Sequence, residues 1–394
     1  MSPRTPSVLV TDAGRGSALA CIRSLGRAGM RVVAADPDRS APGLRSRYAA
    51  ARVTYPSPAT DPRGAAAAIG AAAEREGVDL IVPVTDAAIL ALLDVEGRRV
   101  PLAVAEPTVL RTTQDKLATV RLAERLGVPV PDTHEAATAA EAADAASALG
   151  WPVVLKPRFL YRAAARGVTY AGDPEGLVRE WDSLASEGPL LVQRYHAGEG
   201  HGVEVLAHEG RLLAALQHRR LRELPVTGGP SACREAVEPD PVLLGHAAAL
   251  IEALGWTGLA MVEFKVSPHG PRLMEINGRI WGSLPLAVRA GMDFPARLVR
   301  LHLDGAPGGP VDTNYRRGTR SRDLELELRW IVAVLRKNRA YPFLPFPART
   351  EALPVAARLG WPGDGYDAAA FDDPVPMVAE VGRVARRLWE LRRA

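Results

Sequence analysis

Cysteine and lysine are both scarce in this chain. The two cysteines among its 394 residues, Cys21 and Cys233, are too few and too far apart for a disulfide framework or a cysteine metal site. A reducing, cytoplasmic setting is expected. No stretch of about 18 consecutive apolar residues occurs, and the apolar run in "MSPRTPSVLVTDAG" is far too short for a signal peptide. No membrane role is implied. The net charge is only +4, with arginine interspersed among acids almost everywhere, so nucleic acid is not an expected partner. No G-x-S-x-G, H-E-x-x-H or cysteine–histidine pairing stands out, which argues against chemistry through a side-chain nucleophile or a zincin site. No lysine follows a glycine, so a Walker A loop is excluded.

What is present suits a folded protein, since 47% hydrophobic and 24% charged residues leave no disordered bias and 394 residues predict two or three domains. Nearly every basic position is arginine, so Lys116, Lys156, Lys265 and Lys337 are the exceptions. The first hundred residues alternate strand and helix signals: "VLVTD", "SALACIRSLGRAG", "RVVAAD", "GAAAAIGAAAEREG", "LIVPVT", "DAAILALLD" and "PLAVAE". That order predicts a doubly wound parallel sheet over residues 1–106. Residues 107–305 read as a mixed α+β domain whose 150–190 portion is a smaller subdomain. Within it, Glu209-Gly210 marks a hairpin turn. Residues 306–394 read as a linker, "DGAPGGP", a solvated basic loop, "RRGTRSRD", and a helical extension. Its last helix is expected to dock through Val381, Val384, Ala385, Leu388 and Leu391.

The turn "VTDAGRGSAL" lies between the first strand and the first helix, with Asp36 closing the second strand about 20 residues later. A dinucleotide loop and an ordinary tight turn are both open readings. Leu19 at the third small position disfavours the first.

The strongest chemical signal is "AMVEFKVSPHGPRLMEINGRIWG". Treated as a hairpin centred on His269, it sets Glu263 opposite Glu275, and facing carboxylates about 5 Å apart repel one another unless a cation joins them. Asn277 extends the Glu275 side and Lys265 the Glu263 side. Hard oxygen ligands of this kind suit Mg²⁺ or Mn²⁺, which complete their shells with water and phosphate oxygens. Lys116 in "QDKLA" and Lys156 in "PVVLKP" are candidate phosphate partners, lysine being a compact point charge.

This ordered set resembles the ATP-grasp superfamily over roughly residues 1–305. The resemblance rests on Lys116 in "QDKLATVRLAERLGVPVP", Lys156 in "WPVVLKP", the hinge "LLVQRYHAGEGHGVEV", Glu263 in "MVEFKV", and Glu275, Asn277 and Arg279 in "MEINGR". "EINGRIWGSLPLAVRAGMDFP" is similar to the branch holding carbamoyl phosphate synthase, biotin carboxylase and many carboxylate–amine ligases. The resemblance implies a Rossmann-like domain before a two-subdomain ATP-grasp fold, with ATP and magnesium as cofactors. It also implies that Lys116 and Lys156 bind the α- and β-phosphates. Gln193 and the backbone near Tyr195 and His196 would read the adenine. Glu199 would meet the ribose, with His201 and Glu204 as weaker candidates. Glu263, Glu275 and Asn277 would hold two metal ions, and Arg279 would meet the transferred phosphoryl group. The loop "RFLYRAAARG" departs from a glycine-rich phosphate lid by carrying Arg158, Arg162 and Arg166.

The activity implied is joining of a small carboxylate to a small amine, as in amino-acid ligation, through an acyl phosphate. The alternative is carboxyl- or carbamoyl-phosphate chemistry on bicarbonate, and a third reading is a non-catalytic nucleotide binder. Arg219, Arg220 and Arg222, with Ser231 beyond a Gly-Gly-Pro loop, are candidates for holding a substrate carboxylate. Ser17, at the N-terminus of the first helix, is another. Trp281 belongs to the pocket wall or the core. Small-molecule substrates are the expected partners, and a homodimer is compatible with this reading.

Overall fold

The computed structural model describes residues 5–390 apart from 96, 160–166, 185, 187, 338–339 and 361–363. The N-terminal part runs β1 (Ser7–Val10), α1 (Gly16–Arg27), β2 (Arg31–Asp36), β3 (Ala49–Thr54), α2 (Pro62–Arg75), β4 (Leu80–Val82) and α3 (Asp86–Leu93). Its strands are parallel in the order β3-β2-β1-β4. Each of β1, β2 and β4 is an almost unbroken buried apolar run, as parallel strands covered on both faces must be. "PLAVAE" does not become a full strand. It adds a single parallel bridge from Leu102 to Ile81.

Two helices follow, α4 (Pro107–Gln114) and α5 (Lys116–Arg125). Glu106 caps α4 with proline in its first turn, and Asp115 caps α5 by accepting from the Leu117 and Ala118 amides. The small antiparallel sheet β5-β8-β6-β7 is built from β5 (Thr133–Ala136), α6 (Ala139–Leu149), β6 (Val153–Pro157), β7 (Thr169–Ala171), α7 (Pro174–Leu184) and β8 (Leu190–Arg194). Arg162 and Arg166 of the expected lid loop lie outside the described residues.

The large sheet comprises β9 (Glu199–His208), β10 (Arg211–Glu223), β11 (Ser231–Val237), β12 (Gly258–Ser267) and β13 (Gly270–Asn277), with α8 (Pro241–Ala253), α9 (Leu284–Ala290) and α10 (Phe294–Asp304) packed on it. Glu209 and Gly210, with φ of 48° and 81°, make the tight turn between β9 and β10. One face of this sheet packs against α8 through Val203, Val205, Ala260 and Val262. On the other face Leu216, Met261, Trp281 and Phe294 join Val8 and Leu25 in a core shared with the N-terminal part. Trp281 is fully buried edge-on to Phe294, so it is core and not pocket wall.

Residues after 305 depart from the expected helical extension. Besides α11 (Leu324–Leu335), α12 (Arg349–Ala357) and α13 (Val375–Glu390), they supply β14 (Arg320–Arg322) and β15 (Gly365–Tyr366), which complete the order β13-β12-β9-β10-β11-β14-β15. "RRGTRSRD" is therefore not a wholly solvated loop, because Ser321 is 0% and Arg322 1% exposed. Asp364 and Asp367, some 40 residues downstream, accept from Arg322 and Ser321 and make that burial affordable. On α13 the buried positions are Pro376, Glu380 and Val384, whereas Val381 and Ala385 are exposed. The side chain of Leu388 and all of Leu391 lie outside the described residues.

Candidate active site

Apolar alternation along β12 and β13 buries Val262, Phe264, Leu273 and Ile276 on one face and leaves Glu263 and Glu275 on the other, directly opposed. The hairpin turn is centred between Pro268 and His269, since Ser267 pairs with Gly270 and Phe264 with Leu273. A bulge at Met274 then shifts the register, so that Glu263 still meets Glu275. The Asn277 amide donates to both carboxylates, at 2.8 Å to Glu263 and 3.0 Å to Glu275.

Two buried lysines face this pair. Lys116 opens α5, whose N-terminus is fixed to the end of β6 by a bidentate Arg158–Asp115 contact and by the Lys116 amide donating to the Arg158 carbonyl. Arg158 also binds Glu135, so it braces Lys116 and is not a lid residue. Lys156 lies on β6, its Nζ donating to Gln193 Oε1 at 3.0 Å. Burial pulls Lys156 down to about 8, the Lys116 charge adds to the fall, and Glu275 opposes it. Burial pushes Glu275 up, but Lys116, Asn277, Lys156 and Arg279 together outweigh it and hold the carboxyl below its usual value. Glu263 is raised, first by burial and then by Glu275, despite Arg220. Glu275 thus links the two sides of the cleft, acted on by Lys116 and Lys156 and itself acting on Lys156 and Glu263.

Two glycines of β9 shape that cleft. Gly200 and Gly202 sit opposite Lys265 and Glu263. A Cβ on Gly202 would come within 2.3 Å of His218 Cε1, and one on Gly200 within 2.9 Å of Arg220 Cδ. Without side chains there, two residues of β10 lie across β9, and Arg220 Nη2 reaches Glu263 Oε2 at 2.5 Å. Lys265 and Arg220 also share Glu223, each at 3.1 Å.

Among the described residues no cluster of three or more His, Cys, Asp or Glu is placed to cage a metal. Two carboxylates and one amide are too few for an all-protein site, but they fit magnesium that keeps phosphate oxygens and water in its shell. The donor set and the adjacent lysines therefore suit a magnesium–nucleotide complex.

The remaining expected residues are placed as follows. Arg279 donates through Nε to Asp86 at the start of α3, at 2.6 Å, which ties the N-terminal part to the site. Gln193 does not present a free amide to adenine: its Oε1 accepts from Lys156 and its Nε2 donates to Thr133. The Tyr195 amide is likewise taken, by the Pro152 carbonyl, whereas His196 Nε2 is buried and without a partner among the described residues. Glu199 lies 2.8 Å from His201, at the start of β9 and partly exposed. Glu204 cannot meet a ribose as placed, because it is fully buried against His218 and Ser283. Arg222 is bound in a bidentate pair to Glu327 of α11, and the Ser231 hydroxyl donates to the Cys233 carbonyl. Neither is presented to a carboxylate at the metal pair.

The glycine turn also differs from expectation. Asp36 accepts from the Gly14 and Asp38 amides, so it is not open to a ribose. Ser17 is buried, and Asp367 of the C-terminal region lies against Gly16. The chain's own acids, Asp323, Asp367 and Glu380, line the small cavity at this helix N-terminus where a substrate carboxylate was expected. Sequence reasoning missed Asp86, Glu223 and His218. The alternating glycines of "GEGHGVEV" were the available signal, since bare positions two apart on a strand admit side chains from the next one.

Residues 186–325 match a family model described as "ATP-grasp in the biosynthetic pathway with Ter operon". The carbamoyl phosphate synthase large chain of Myxococcus xanthus is 26% identical over 218 residues, which is 53% of this chain and 20% of that protein. The C-terminal section of the large chain from Methanopyrus kandleri is 26% identical over 246 residues, 54% of this chain and 45% of that one. The chain thus spans less than half the length of these relatives. A biotin carboxylase–β,γ-ATP complex from Campylobacter jejuni superposes with a TM-score of 0.67 at 18% identity, covering 80% of this chain and 74% of that one. Carboxyaminoimidazole ribonucleotide synthase from Aspergillus clavatus complexed with ATP gives 0.66 at 18% identity, covering 90% and 98%. The fold is therefore theirs.

Proposed function

We propose that the chain is an ATP-grasp enzyme, an ADP-forming ligase joining a small carboxylate to a small amine. The observation that carries this reading is the opposed Glu263–Glu275 pair with Asn277, faced by buried Lys116 and Lys156. Magnesium held there would supply charge neutralisation for the phosphates. Lys116 and Lys156 neutralise phosphate oxygens, Gln193 orients Lys156, and Asp86 fixes Arg279 where it meets the transferred phosphoryl group. His196 Nε2 is the buried atom open to the base. The substrate's carboxylate oxygen attacks the γ-phosphorus, ADP leaves, and amine attack on the acyl phosphate releases phosphate. Positioning and electrostatics suffice for such a transfer, so no side-chain nucleophile is required.

Three segments form the ligase: the Rossmann-like part to residue 106, the ATP-grasp part to 305 with residues of about 150–190 as lid, and the extension. The test is a screen of paired amino acids and related acids and amines for ADP release. Release that needs both partners supports the ligase. Release with bicarbonate alone would instead make it a carboxyphosphate-forming enzyme, and ATP binding without any release would leave a nucleotide-binding protein.

A further inference from the structure

Away from the metal pair, the C-terminal region roofs a cavity of about 470 Å³ over the ends of β9, β10 and β14. That volume is in the range of sites for small organic ligands, about 300–1,000 Å³. Its roof is Trp330, Pro347, Val355 and Arg358, all beyond the segment that matches the ATP-grasp family model. Five arginines line it, Arg220, Arg222, Arg320, Arg322 and Arg358, against four acids, Glu199, Glu223, Glu351 and Asp364. Arg222 is bound to Glu327 and Arg320 to Glu235. Arg322 is 1% exposed and held by Asp364, yet its Nε has no partner among the described residues, and neither has Arg220 Nε. Of the acids on the wall, Glu199 engages His201 and Glu351 the Ala348 amide of its own helix, whereas Glu223 is shared by Lys265 and Arg220 and Asp364 holds Arg322. The Arg358 guanidinium, exposed and in no ion pair among the described residues, is the group left to take an acceptor from outside the chain.

We propose that this cavity binds a small organic anion, its carboxylate or phosphate held by Arg220, Arg322 and Arg358 and its apolar body lying on Trp330 and Val355. Resting on the ligase reading, we assign that molecule as a co-substrate. Arg220 is the link, since it lines the cavity and also lies 2.5 Å from Glu263. An anion drawing on Arg220 loosens its hold on Glu263 and leaves that carboxylate for the divalent ion. Occupancy of the cavity and of the metal site then favour each other, by the same factor in either direction.

Phenylphosphate is a suitable probe, with inorganic phosphate and phenol as its two halves. Calorimetry on the full chain should show saturable binding of phenylphosphate at least tenfold tighter than that of either half. Arg358→Ala removes an exposed guanidinium that no described ion pair uses, so the fold should be kept. It should weaken phenylphosphate about tenfold, as expected for loss of a charged hydrogen bond, and leave ATP affinity unchanged. Phenylphosphate should also tighten Mn²⁺ binding severalfold, read by water proton relaxation. Phenol binding as well as phenylphosphate, or an Arg358→Ala variant that binds it unchanged, would overturn the site. Binding at the cavity without any shift in Mn²⁺ affinity would overturn the link through Arg220. Retention of phenylphosphate by a chain that binds no ATP would defeat the ligase reading and leave the cavity standing.

Discussion

Glu275 concentrates the electrostatics of the site, with Lys116, Asn277, Lys156 and Arg279 all opposing the effect of its burial. Glu275→Gln keeps the shape and removes the charge, and ADP release should fall by about 100-fold or more while the fold persists. Steady-state ADP release against the denaturation midpoint checks both parts; an active Gln variant would remove the carboxylate pair from the mechanism. Lys156 gives a pH signature. Its ammonium is destabilised to about 8 by burial and by Lys116, so above that pH the chain without nucleotide carries Lys156 neutral. Phosphate beside it restores the charge, and ATP binding near pH 8.5 should take up a fraction of a proton. At pH 6.5, where Lys156 is already protonated, this group should take up none. Calorimetry in two buffers of different ionisation enthalpy measures the uptake, and Lys156→Met should abolish it.

At the scale of elements, β9 lies between β12 and β10, and its glycines let side chains of β10 reach Glu263. Gly202→Ala places a Cβ into the His218 ring and should cost roughly 1–3 kcal/mol of stability, by the usual penalty for overpacking. Urea unfolding reads this directly, and a loss below about 0.5 kcal/mol would mean that the ring moves aside freely. The opposed glutamates were legible because a strand's period of two and its apolar brackets are local properties. The bulge at Met274 was not, since register is settled by contact with β9 and by the turn. "RRGTRSRD" misled for the same reason. Besides Glu327 of α11, its partners are Asp364, which neutralises Arg322, and Asp367, which accepts from Ser321; these two flank β15, and nothing near Arg322 in sequence announces them.

Across the whole molecule, the C-terminal region ties the N-terminal part to the large sheet. Arg23 of α1 is 4% exposed and Asp373 1%, and Asp373 also accepts from the Ser46 hydroxyl and the Arg47 amide. Asp373→Ala strands a buried guanidinium, and a loss of roughly 3–5 kcal/mol is expected. Thermal unfolding checks it; a midpoint near that of the parent chain would show the clasp to be dispensable. The glycine turn of "VTDAGRGSAL" is part of this closure, because Asp367 lies on Gly16 while Arg234 and Ser321 hold its carboxylate. A turn that looked ready for a foreign anion is covered by one of the chain's own.

On the proposed function, Glu263, Glu275, Lys116 and Lys156 serve phosphoryl transfer to a carboxylate. ADP release across a matrix of small acids and amines, run beside Glu275→Gln, tests it most directly. The prediction is release that requires one acid and one amine together and is absent in the variant. Release that needs no acid, or that survives loss of Glu275, would contradict it.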